Sequence, residues 1–159
     1  MNDFVDRIRS IRDAFRGFME IPGFAEGGWD VRSDVGFLDV LDEVESAGLS
    51  GDASKGRWLG GLTQIDDPGP MGRSWFLSLA ALAALGEMPW EALEVAEGIL
   101  RELPGDASAY RKIGVVKILE ASGLREALPV LERFLADEDV QVRKEAESAR
   151  KVIWGEGLG

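Results

Sequence analysis

Two ten-residue segments, EALEVAEGIL at 91–100 and EALPVLERFL at 126–135, carry the same residue at six positions and stand 35 residues apart. Downstream of each lies an Arg-Lys pair, Arg111 with Lys112 and Arg143 with Lys144, 32 residues apart, so the first unit holds three extra residues in its turn. A period in the thirties built from two helices means stacked helical hairpins, because one hairpin cannot bury its apolar face without a neighbour. That requirement predicts helices at matching spacing along the rest of the chain.

The apolar positions meet it. Phe4, Ile8, Ile11, Phe15 and Phe18 recur at steps of three and four over residues 3–19, one stripe of an amphipathic helix. After a glycine-rich stretch, Ser33 or Asp34 is placed to cap a second helix bearing Phe37, Leu38, Leu41 and Val44 and ending near Gly48. Residues 53–65 space Trp58, Leu59, Leu62 and Ile65 helically, but Gly56, Gly60 and Gly61 each cost up to ~1 kcal/mol against Ala in a helix interior. DDPGP at 66–70 reads as a turn, and the Leu/Ala-rich run from Arg73 to Leu85 reads as a helix that is core on nearly every side, stopped at Gly86. Pro89 opens a fifth helix through Glu102; the turn at 104–106 closes it and Asp106 is positioned to cap a sixth, with Tyr110, Ile113, Val116 and Leu119 inward and Gly123 at its end. A seventh runs over 124–135. After the acidic turn at Asp137 and Asp139, Val142, Ala146, Ala149 and Ile153 mark one face of an eighth, with Ala146 and Ala149 toward the seventh. No sustained alternation or Asn-Gly hairpin signals a strand.

Residues 127–153, ALPVLERFLADEDVQVRKEAESARKVI, resemble a HEAT repeat: Pro129 in the first helix, an acidic turn at Asp137 and Asp139, then Val142 and Arg143 opening the second. The DDPGPMGR turn is similar. The middle of the chain also resembles a tetratricopeptide repeat, with Ala80, Ala92, Ala96, Ile99 and Pro104 at its small, apolar and proline positions and Tyr110, Ile113 and Gly114 opening the next, although Lys117 stands where an aromatic belongs. Both families are α-solenoids. The resemblance implies an all-α fold: a right-handed α-α superhelix of about eight helices in four antiparallel hairpins, one domain over 1–159. Residues 66–155 supply the recognisable pairs, and residues 1–65 are divergent repeats or a cap. It further implies a groove lined by the second helix of each hairpin.

Composition narrows the chemistry. The 159 residues include no Cys and no His, which removes thiolate nucleophiles, the usual metal ligands and the usual near-neutral base. No G-x-S-x-G elbow, phosphate loop or dinucleotide fingerprint is present. Asp39 and Glu43, four apart with Asp42 and Glu45 nearby, are the one carboxylate set able to chelate a hard cation or share a proton; without a calcium-loop pattern they read as a solvated helix face. The expectation is a protein that is not an enzyme, with no catalytic residue, cofactor or metal.

Charge and aromatics point to a partner. The formal charge is -11, which repels a phosphate backbone. Residues 21–54 hold eight acids against Arg32 alone, net -7, a concentration that steers a basic protein. Residues 1–20 are neutral, unlike a membrane-binding helix, and the longest apolar run, Trp75–Leu85, is about half of the ~20 residues a membrane span needs. The opening MNDFVDRIRSIRDAF has no secretory-signal pattern, so the expected location is cytoplasmic. Trp75 and Trp90, at the ends of apolar helices, are expected to pack within hairpins; Trp29 in a glycine-rich loop and Trp154 near the chain end are open to a partner. The candidate partner-binding residues are Trp29, Asp34, Asp39, Asp42, Glu43, Glu45 and Trp154, in a protein-interaction module or regulatory scaffold that binds a basic protein but neither nucleic acid nor membrane. Two alternatives remain open. One is a small acidic immunity protein that neutralises a basic toxin or enzyme. The other is a HEAT-like nucleic-acid binder of the DNA glycosylase type, for which Arg111, Lys112, Lys117, Arg143, Lys144, Arg150 and Lys151 are the basic cluster, interrupted by Glu145 and Glu147.

Overall fold

The computed structural model describes residues 3–19, 31–64 and 73–158, and all regular structure among them is helical. Eight α-helices are described: α1 (Asp3–Met19), α2 (Val31–Ser50), α3 (Gly56–Leu62), α4 (Arg73–Gly86), α5 (Pro89–Glu102), α6 (Ala109–Ser122), α7 (Leu128–Leu135) and α8 (Val140–Leu158). The turn expected at 66–70 lies outside the described residues. None of the described helices is long and apolar enough to cross a membrane.

The helices pack in order. Each odd-numbered helix lies against its successor, α1 on α2 through α7 on α8, and the second members form a row, α2 on α4, α4 on α6 and α6 on α8. α1 breaks the pattern by also packing on α4. Its stripe of Phe4, Ile8 and Phe15 is buried, and Phe15 meets Phe76 edge to face at 5.9 Å between ring centres. Burying such a side chain contributes about 1.5–3 kcal/mol, so α1 is held chiefly by its apolar stripe.

Several helix ends differ from the expectation. α2 begins at Val31, ahead of Ser33 and Asp34, and passes through Gly48 to Ser50; the left-handed residue beyond it is Gly51, at φ 64°. Gly48 has another role: the Phe4 ring fills the space its Cβ would need. α3 is shorter than 53–65 because its first turn is a 3-10 turn at Ala53–Lys55, capped by Asp52, which accepts from the Ser54 N–H at 3.0 Å. Its glycines permit close approach to α5: a Cβ on Gly60 would collide with Val95, and one on Gly56 would lie 3.0 Å from Glu91 and 3.1 Å from Val95.

The cap of α6 is Ser108, not Asp106. The Ala107 N–H donates to the Pro104 carbonyl at 3.0 Å, which closes a turn around Asp106, and the Ser108 hydroxyl then accepts from the Arg111 N–H at 3.3 Å. Gly123 ends the helix in the left-handed conformation at φ 62°, as its sequence position predicts. The seventh helix is divided. Arg125–Ala127 form a 3-10 turn and α7 starts afresh where Pro129, which lacks an N–H, fits a first turn. In α8 the expected stripe of Val142, Ala146, Ala149 and Ile153 is fully buried, and Asp139 caps it by accepting from Gln141 N and Val142 N at 2.8 and 3.1 Å.

Trp90 corrects the expectation of hairpin packing: it is 62% exposed. The buried stripe of α5 is Ala92, Leu93 and Ala96, and Trp90 projects roughly 115° round the helix from its centre. The Trp75 side chain lies outside the described residues. α6 is buried well beyond one stripe, through Gly114, Val115, Val116, Ile118 and Leu119, because α4, α5 and α8 surround it; Tyr110, expected inward, is exposed at its first turn.

Candidate functional site

Among the described residues, the row of second helices borders a large opening. A groove of about 1170 Å³ runs between α1 on one side and α4, α6 and the end of α8 on the other. Helical geometry gives it an apolar floor: the side of α4 turned away from Phe76, Ala80 and Ala84 presents Leu79 and Leu82, and α6 contributes Tyr110 and Ile113. Three large apolar side chains stay partly solvated there, Leu79 at 36%, Val152 at 40% and Tyr110 at 49% exposure, so α4 is not core on every side. Thr63 and Ser122 also line the groove, but their hydroxyls donate to the carbonyls of Gly60 at 2.7 Å and Leu119 at 2.6 Å.

Charge surrounds that floor. Asp3, Asp6 and Arg7 come from the first turns of α1, and Lys117 and Glu120 from α6. The Lys117 ammonium is drawn to Glu145 at 2.9 Å and stands 3.8 Å from Glu120, too far for a hydrogen bond. The Glu120 Oε2 atom is buried and accepts no hydrogen bond, an unusual state for a carboxylate oxygen.

The candidate residues read from the sequence lie elsewhere. Asp39, Asp42 and Glu43 stand exposed on α2, outside the groove lining. Asp42 and Glu45 receive the Arg12 guanidinium at 2.7 and 3.2 Å, which ties α1 to α2. Burial alone would lower the Arg12 pKa, but the bonds to these two carboxylates more than offset it and hold it above the usual value. Half of that acidic set therefore joins helices, while Asp39 and Glu43 face solvent. Trp154 is exposed as expected, with the Arg125 guanidinium 5.3 Å from its ring centre. The Asp34 side chain and all of Trp29 lie outside the described residues. Among the described residues no group of three or more acids is arranged to hold a metal ion.

The basic cluster is largely occupied. Lys112 bonds Asp137 at 3.0 Å, Lys117 bonds Glu145, Arg150 bonds Glu147 at 2.6 Å, and Arg143 donates to the carbonyls of Asp137 and Glu138 at 2.7 and 3.1 Å. Burial pushes the Asp137 carboxyl up, but donation from the Asp139 N–H and Lys112, with Arg143 nearby, holds it below the usual carboxylate range. A carboxylate lowered on folding contributes stability above about pH 4 that is lost as pH falls through the folded value. Asp137→Asn is accordingly expected to cost about 1 kcal/mol at neutral pH, with the difference from the parent shrinking below about pH 4; urea denaturation at the two pH values measures both.

Leu79, Glu120 and Val152 escaped residue-level reading of the sequence, and Tyr110 was read only as an apolar position of α6. The expectation that second helices line a groove pointed to their helices, but the wall supplied by α1 had no sequence signal. No family model, curated protein or solved structure matches the chain.

Proposed function

We propose that this protein is a non-enzymatic interaction module, an α-solenoid of stacked hairpins similar to HEAT repeats, that binds a basic partner protein. The ladder of packed helix pairs supports the solenoid reading. The observation that carries the function is the groove: an open depression with solvated apolar side chains in a chain of charge -11. Exposed apolar surface rimmed by polar groups marks interaction sites, and a strongly acidic surface accelerates association with a basic protein. A tagged pull-down washed at low and high salt tests it. Retention of one basic protein at low salt and its release at high salt is the expected result; capture of duplex DNA instead would favour the nucleic-acid alternative and overturn this reading.

The exposed acids of α2 favour a second reading, an acidic inhibitor that covers a basic enzyme or toxin. That role requires one-to-one binding that abolishes the captured protein's activity, which is assayed directly once a partner is in hand.

A further inference from the structure

We draw no further inference here: the strongest candidate, the groove that α1 forms with α4, α6 and the end of α8, has a rim on which Arg7 and Lys117 nearly balance Asp3, Asp6 and Glu120, and nothing in the structure shows what covers it.

Discussion

Ala146→Arg is expected to unfold the C-terminal helix pair, and Ala149→Arg to do the same. Both positions are fully buried, and α8 is pressed between α7 and α6, so the new side chain has no route to solvent at its root. It must either open the α6–α8 contact or leave a guanidinium in the buried core. Overpacking and an unpaired buried charge together cost about 4–5 kcal/mol or more, a large fraction of the 5–15 kcal/mol that stabilises a typical domain. A thermal melt followed by far-ultraviolet circular dichroism should show lost helicity and an early transition, while Ser148→Arg, exposed on the same helix, melts like the parent. An unchanged melt for Ala146→Arg would mean that the register of α8 is wrong.

Gly114→Ala is the second large effect, and its sign opposes helix propensity. Alanine in a helix interior is ordinarily favoured over glycine by about 1 kcal/mol. At Gly114 a Cβ would sit 2.5 Å from the Thr63 carbonyl oxygen and 2.8 Å from Gln64 Nε2. Neither yields easily: the Thr63 N–H is bonded to the Gly60 carbonyl at 3.0 Å, and Gln64 Nε2 donates to the Arg111 carbonyl at 3.0 Å. Separating α6 from the end of α3 is expected to cost about 2–3 kcal/mol net. Gly61→Ala, also helical but with no neighbour within 4 Å, should gain about 0.5–1 kcal/mol. Urea midpoints moving in opposite directions for two helical glycines would confirm the close approach; a gain at both would refute it.

These two cases show where sequence reading works and where it stops. The face of α8 was legible because a helix of 19 residues, about five turns, repeats its apolar spacing often enough to define one side. The division of a glycine's cost was not legible: Gly48, Gly60 and Gly114 sit where another helix comes close, a fact held by residues 44, 35 and 51 positions away. Trp90 failed for a related reason, since apolar character says a residue prefers burial but not that a neighbour reaches its side of the helix. α6 shows the reverse case, in which neighbours on several sides bury Val115 and Ile118 along with the expected Val116 and Leu119. The groove belongs to the illegible part. Its far wall exists because α1 crosses onto α4, a contact such as Phe15 with Phe76 that spans 61 residues and leaves no periodic trace.

The doubled duty of α1 bears on which of its residues can be replaced. Phe4, Ile8 and Phe15 point into the core while Asp3, Asp6 and Arg7 border the opening, so the helical period sorts one segment into an interior that tolerates few substitutions and an exterior that tolerates many. Substitutions on that exterior can change the charge and shape of the groove's edge without loosening the fold. The same segment thus offers both an anchor and an edge that can be altered one surface residue at a time.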